Sequence, residues 1–300
     1  MNKYFNIMRV NLISIIIICQ FFFTPSLLAQ DRNCDFHILK GPYLGQNPPG
    51  LTPEIFAPGI VSVDRYSEFV CMFTPDGNEC IFDRYGDDEY QSGAVFITRL
   101  EKGKWSEPEI HPLFAGFDHV FLPTLSPDGK HWFFTSNTLP VPEGVRKIIP
   151  MYFMKKTNNG WTEPKYLTQA IHASITLDGT VYVNSGREII SHTDLKKVVD
   201  LYGSLPFRIG HPVISSDGSH LIFDNEELAG EHACKLFVSY KKGESWSDPI
   251  SLEPYIKQHA FCAWISYDGK YIFFHSLDGE KGNIYWISAE IIEELKPSGN

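Results

Sequence analysis

The chain has 300 residues, of which 43% are hydrophobic and 21% are charged. This balance is typical of a soluble globular protein with a sizeable core, and it excludes a disordered chain, a collagen-like repeat and a coiled coil. The net charge is -10 and no basic run occurs, which argues against a nucleic-acid partner.

Residues 1–30 have the pattern of a secretory signal peptide. Lys3 and Arg9 precede an apolar stretch, and the small residue Ala29 follows it. The alternative is a membrane anchor, but polar residues interrupt an apolar run shorter than the ~20 residues of a spanning helix. Neither Cys19 nor Cys34 follows the small-residue pattern of a lipidation site. The sequence therefore predicts a periplasmic or extracellular protein without a stable membrane span.

Five cysteines remain after cleavage, and their odd number and wide spacing do not indicate a disulfide framework. Cys71 and Cys80 flank a predicted hairpin turn and could lie across it from each other. Cys71 and Cys262 also stand in apolar runs, where a buried free thiol is the commoner state. At most two disulfides are possible, and the pairing stays open.

Residues 31–50 are rich in Gly and Pro and predict an irregular lead-in. The sequence of the next segment, Leu51–Pro58, resembles that of Ser106–Pro112, which we assign to the outer strand of a repeat. We therefore expect residues 51–58 to form an outer strand rather than to begin a repeat.

One short phrase ending in Asp-Gly recurs five times, with its aspartates 52, 50, 39 and 51 residues apart. An aromatic β-run follows each copy, and Asp-Gly between two such runs predicts a hairpin turn. The five turns lie at 76–77, 128–129, 178–179, 217–218 and 268–269.

Repeats of this length with about four strands each predict an all-β fold, the β-propeller, whose blades bury their faces against one another. Five copies predict five blades of four antiparallel strands in one domain, residues 51–297, with six blades as the alternative. The fifth repeat lacks an outer strand. We expect Leu51–Pro58 to supply it beside Asn283–Ser288 and to close the ring, which removes an exposed sheet edge.

The phrase Ser126-Pro127-Asp128-Gly129-Lys130, followed by aromatic residues, resembles the WD40-like (PD40) repeat of the TolB-type β-propeller family. This resemblance implies a propeller over nearly the whole mature chain. It leaves the activity open, because similar propellers include scaffold-binding proteins, peptidase lids and oligosaccharide lyases that hold a metal through channel histidines.

Four histidines stand shortly before the Asp-Gly phrases, and a glutamate takes the corresponding place in the first repeat. Residues at the start of the innermost strands gather at one mouth of a propeller channel. Imidazole and carboxylate groups that converge there could hold a divalent transition metal, with the histidines as ligands. The histidines stand 9 or 6 residues before the aspartate, so they meet only if bulges intervene or the residues precede the strands. The candidates are Glu68, His119, His172, His211 and His259.

No hydrolase elbow, phosphate loop, zinc-protease motif or dinucleotide fingerprint is present. The sequence favours a secreted or periplasmic binding propeller that recognises an envelope protein, peptide or glycan through the channel mouth and upper loops. Thr138–Pro150 is the longest loop and a candidate for recognition. The alternative is a metal-dependent lyase or hydrolase of an acidic oligosaccharide that uses the channel histidines.

Overall fold

The structure is a computed structural model that describes residues 39–86, 90–117, 119–206, 209–225, 234–278 and 281–297. These residues form a five-bladed β-propeller, as the repeats predict. The predicted signal peptide and the first part of the lead-in lie outside the described residues. Among the described residues, no helix is both long and apolar enough to span a membrane.

In chain order, each blade begins with its innermost strand and proceeds outward. The second and third strands pair antiparallel in four blades and parallel in blade 3. In blades 1, 2 and 4 a two-residue strand pairs antiparallel with the end of the third strand, before the outer strand begins. Blade 1 comprises β2 (Cys71–Phe73), β3 (Glu79–Gly86), β4 (Tyr90–Glu101), β5 (Lys104–Trp105) and β6 (Glu109–Ile110). Blade 2 comprises β7 (Val120–Leu125), β8 (His131–Ser136), β9 (Pro150–Thr157), β10 (Gly160–Trp161) and β11 (Lys165–Gln169). Blade 4 comprises β15 (Ile209–Ile214), β16 (His220–Asn225), β17 (Leu236–Lys242), β18 (Ser245–Trp246) and β19 (Ile250–Ser251).

Blades 3 and 5 differ from this pattern at their outer edges. Blade 3 comprises β12 (Ala173–Ile175), β13 (Thr180–Val183) and β14 (Lys197–Asp200). Blade 5 comprises β20 (Phe261–Ile265), β21 (Tyr271–Asp278), β22 (Lys281–Ser288) and, from the other end of the chain, β1 (Glu54–Ile55). A short helix, α1 (Glu290–Glu294), follows the last blade.

Every Asp-Gly phrase forms the turn between the first and second strands of its blade. In blade 1 the Asp76 Oδ1 accepts hydrogen bonds from the Thr74 hydroxyl at 2.6 Å and from the Asn78 amide at 3.1 Å. Gly77 has a φ of 70°, in the left-handed region that glycine adopts without strain. The other four turns repeat the hydroxyl-to-aspartate bond. This local bonding explains why the phrase recurs at each hairpin.

The N-terminal strand closes the ring, as predicted. β1 pairs antiparallel with β22, with Glu54 opposite Trp286 and Ile55 opposite Tyr285. The next residue, Phe56, is fully buried, and its ring lies 5.1 Å from Trp286 and 5.0 Å from Phe273 between ring centroids. The two ends of the chain therefore share one blade and one aromatic cluster.

Blade 3 departs from the antiparallel pattern because its chain makes a detour through blade 2. After β13 the backbone runs beside β11, where the Ile190 amide bonds the Leu167 carbonyl and the Thr168 hydroxyl bonds the Glu188 carbonyl. The chain then re-enters its own blade from the same end, so β14 pairs parallel with β13. The shorter third repeat has this arrangement in place of an antiparallel outer edge.

Candidate functional site

The start of each innermost strand faces the central channel, and equivalent residues form two rings there. The residues six positions before the turn aspartates are Val70, Leu122, His172, His211 and Cys262. The residues seven positions before them are Phe69, Phe121, Ile171, Gly210 and Phe261. The apolar members of both rings pack together as one cluster. This end of the channel is therefore narrowed by side chains from all five blades.

A bulge in three of the five innermost strands places these residues. In blades 2, 4 and 5 two residues stand opposite one residue of the second strand. The first residue of each bulge has positive φ: 47° at Leu122, 21° at His211 and 50° at Cys262. The same bulge holds a leucine, a histidine and a cysteine, so it is a feature of the fold, and the chemistry comes from the residue that occupies it.

Aromatic rings from blades 5, 1 and 2 form a continuous network along one side of the mouth. The ring centroids of Phe69 and Phe261 lie 5.8 Å apart, and those of Phe69 and Tyr85 lie 5.0 Å apart. Tyr85 in turn stacks on Phe121 at 5.7 Å. All four side chains are only partly buried. The mouth therefore presents apolar rings to solvent at one end of the channel.

His211 lies at this mouth in a hydrogen-bonded pair with an aspartate of the second strand. Its Nδ1 lies 2.8 Å from Asp224 Oδ2, and the same carboxylate oxygen accepts a hydrogen bond from the Cys262 amide at 3.2 Å. Burial alone would lower the pKa of His211, but the hydrogen-bonded Asp224 carboxylate opposes burial and raises the pKa. Burial raises the pKa of the Cys262 thiol to about 11. The contact with Asp224 therefore favours the charged form of His211, beside a buried neutral thiol.

His172, in contrast, is a buried neutral residue. Its two ring nitrogens lie 3.0 Å from the Thr124 hydroxyl and 3.0 Å from the Pro212 carbonyl oxygen. Burial, followed by the charge of His211, lowers its pKa to about 4. With both nitrogens hydrogen-bonded, His172 links blades 2, 3 and 4 across the channel.

Glu68 lies at the seam between blades 1 and 5 and is fully buried. Its Oε1 is 3.5 Å from Arg84 Nε, and its backbone carbonyl accepts a bond from His275 Nδ1 at 2.5 Å. Burial raises the pKa of Glu68 to about 8, against the opposing charge of Arg84. Asp83 next to Arg84 accepts hydrogen bonds from two backbone amides, and burial raises its pKa to about 6. Glu68 is thus part of the packing between two blades.

The remaining candidates, His119 and His259, lie at the rim. Each is partly buried, with ring centroids 6.4 Å from Phe121 and 5.0 Å from Phe261, respectively. Burial lowers the pKa of His259, and Asp224 opposes this effect. Of the predicted histidines only His211 contacts the Asp224 carboxylate, and Glu68 lies at the seam.

The described residues contain no group of three His, Cys, Asp or Glu side chains placed to hold a metal ion. The four histidines predicted as ligands are all among these residues. His172 and His211 share one ring but bond other groups, and His119 and His259 lie at the rim. The metal site stays a prediction that metal analysis can test.

Sequence reasoning missed Asp224 and Cys262. The signal for Cys262 was available, because it occupies the same repeat position as His172 and His211. Asp224 also stands at a repeat position, seven residues after its turn aspartate as Asp83 does, but its contact with His211 depends on the pairing of Gly210 with Asp224.

The long loop of blade 2 is anchored at both ends. The Tyr152 hydroxyl donates to the carbonyl oxygens of Leu139 and Pro140, and the Gln169 side chain accepts from the amides of Ile148 and Ile149. The residues between these anchors, 141–147, include the exposed Arg146 and Lys147. Only this tip is available for recognition.

No protein-family model matches the sequence, and no curated protein sequence matches it. Solved structures with similar folds include a TolB-type protein from Agrobacterium tumefaciens, at 15% identity over 74% of this chain and 77% of that chain, with a TM-score of 0.44. TolB from Acinetobacter baumannii matches at 17% identity over 75% of this chain and 52% of that chain, with a TM-score of 0.44. A GH43 protein from Bacillus licheniformis matches at 12% identity over 78% of this chain and 54% of that chain, with a TM-score of 0.46. Identities and TM-scores this low do not indicate the activity of this protein or the family to which it belongs.

Proposed function

We propose that this protein is an exported binding propeller of the TolB-like, PD40-repeat type, which recognises an envelope protein, peptide or glycan at the channel mouth. The observation that carries the proposal is the network of partly exposed aromatic side chains that blades 5, 1 and 2 place along the mouth, together with His211 and Asp224. Aromatic residues provide large apolar contact area at binding surfaces, and a few polar groups fix the orientation of the ligand. The predicted signal peptide supports a periplasmic or extracellular location.

The chemistry of the mouth favours binding over catalysis. The Cys262 thiol is neutral at physiological pH, and the buried Glu68 faces a blade seam, so neither offers a reactive group to a ligand. His211 is held by Asp224 and has a fixed orientation. A rigid, largely apolar mouth with one charged hydrogen-bonding pair suits recognition of a preformed surface.

Site-specific photo-crosslinking tests this proposal. A photoreactive amino acid in place of His119 lies at the mouth, and the matched control in place of Lys130 lies at the far end of the same innermost hairpin. After irradiation with envelope extract, we expect adducts from position 119 and few from position 130. After proteolysis, mass spectrometry of the crosslinked peptide identifies a protein or peptide ligand by an attached foreign peptide, and a glycan by an attached sugar mass. Equal labelling at both positions would refute the mouth as the binding surface.

The metal-dependent lyase or hydrolase remains the alternative. The observation in its favour is that His172 and His211 occupy the same repeat position in neighbouring blades and that His259 lies at the rim of the same mouth. A divalent ion held by His211 would replace its bond to Asp224, and the ion would supply charge neutralisation for an acidic sugar.

A further inference from the structure

Two cysteine thiols are in contact in the first hairpin of blade 1. Cys71 lies on β2 and Cys80 on β3, and their Sγ atoms are 3.6 Å apart. Both side chains are buried, at 1% and 0% exposure. Two sulfur atoms at this separation need only a small further approach to form a bond.

The strand register explains the contact. Cys71 stands opposite Phe82, and Phe73 stands opposite Cys80, so the two cysteines lie on one face of the hairpin as a diagonal pair. The two short side chains point towards each other from these positions, so their Sγ atoms come within 3.6 Å. Blade 1 has no bulge at this point. The Asp83 amide donates a hydrogen bond to the Val70 carbonyl oxygen, so Val70 stays in the same register as Cys71.

The other blades show that this pair is special to blade 1. The residues that match Cys71 in blades 2, 4 and 5 lie inside the bulge, and those that match Cys80 are large and apolar. The two sets are Pro123, Pro212 and Ala263 on the first strands, and Trp132, Leu221 and Ile272 on the second strands. A combination of a small and a large residue fills the site elsewhere, whereas blade 1 fills it with two thiols.

We propose that Cys71 and Cys80 are an oxidative modification site, which forms a disulfide that crosslinks the first hairpin of blade 1. Two S–H bonds break and one S–S bond forms, and two protons and two electrons leave the cysteines. The electron acceptor is a second disulfide, which is reduced to two thiols: a thiol–disulfide oxidoreductase in an oxidising compartment, or glutathione disulfide in vitro.

The timing of the reaction follows from burial. The folded hairpin excludes solvent from both sulfur atoms, and burial also raises the pKa of Cys71, so the attacking thiolate is scarce in the native state. Exchange therefore takes place while the hairpin is still open, during folding, and the finished propeller then protects the bond from reductants.

Mass spectrometry of the full chain tests the proposal. The protein is reduced, unfolded and refolded with glutathione and glutathione disulfide, then denatured and treated with iodoacetamide. Proteolysis after Glu79 cuts the chain between the two cysteines. We expect Cys71 and Cys80 to escape alkylation and their two peptides to stay joined until a reductant is added. Alkylation of both thiols, or pairing of either with another cysteine, would overturn the proposal.

Variants provide the matched controls. Cys71→Ser and Cys80→Ser should each abolish the joined peptides and expose one more thiol, while Cys262→Ser should leave the joined peptides unchanged. Closing so short a loop should raise the melting midpoint by roughly 5 °C relative to reduced protein. The double variant Cys71→Ser/Cys80→Ser should not respond to reductant. Equal midpoints for oxidised and reduced wild-type protein would overturn the stabilising role of the bond.

Discussion

At the scale of single residues, the identity of one repeat position determines the chemistry of the mouth. The residue six positions before the turn aspartate is aliphatic in blades 1 and 2, histidine in blades 3 and 4 and cysteine in blade 5. The two histidines then differ in charge, because His172 is buried between neutral partners and His211 faces Asp224. A common backbone position therefore yields one neutral and one charged imidazole.

Glu68 should make the stability of the propeller depend on pH. Its pKa is raised from 4.5 to about 8 in the folded protein, so the folded state binds the proton more tightly than the unfolded state. The stabilisation is present below pH ~4.5 and is lost as pH rises towards 8, on the order of a few kcal/mol. Glu68→Gln should flatten the pH dependence of the free energy of unfolding over this range. The control Glu163→Gln, at an exposed site, should keep the wild-type slope, and an unchanged slope in Glu68→Gln would contradict the prediction.

Metal analysis tests the enzyme alternative at the same scale. Protein purified without chelator should contain less than about a tenth of an equivalent of Mn, Fe, Ni or Zn, since a genuine closed site would be near full occupancy. Near-stoichiometric metal that disappears in His172→Ala and His211→Ala variants would instead establish the histidines as ligands and favour the metal-dependent reading.

At the scale of elements, the Asp-Gly phrases allowed the five hairpins and the order of the blades to be predicted, because each phrase forms its own turn through local hydrogen bonds. The outer strand of blade 5 was also predictable, from the resemblance of Leu51–Pro58 to another outer strand. The bulges were not, since no local signal marks them and they depend on how five strands meet around the channel. Because each bulge inserts one extra residue, an even or odd spacing between a histidine and its turn aspartate does not indicate which side chains converge.

The closing strand should contribute strongly to stability through one side chain. Phe56 is fully buried among aromatic rings of blades 1 and 5, so Phe56→Ala leaves a cavity at the seam. We expect the free energy of unfolding to fall by about 3–5 kcal/mol in a chemical denaturation experiment. Leu51→Ala changes a neighbouring exposed residue and should cost less than about 0.5 kcal/mol. A loss of similar size in both variants would argue against β1 as the strand that closes the ring.

At the scale of the whole molecule, the closed ring gives the protein two unlike ends. The starts of the innermost strands bring aromatic rings and histidines from separate blades to one mouth, while the Asp-Gly turns place short charged loops at the other end. The sequence allowed this gathering to be predicted but not the contacts within it, because the partners of the His211 and Glu68 side chains, Asp224 and Arg84, come from second strands. Which ligand binds depends on the shape of the mouth, and that shape arises only when the ring closes.

The central claim is that ligands bind at the aromatic mouth, and the affinity of the crosslinked ligand for matched variants tests it most directly. His119→Asn/His259→Asn removes two rim rings from blades 2 and 5, and asparagine tolerates the positive φ of residue 119. Lys130→Ala/Lys270→Ala changes the same two blades at the opposite end. By isothermal titration calorimetry, we expect the rim variant to bind at least about tenfold more weakly than wild type and the control to bind within about twofold. Equal affinity of wild type and rim variant, or a loss confined to the control, would contradict the account.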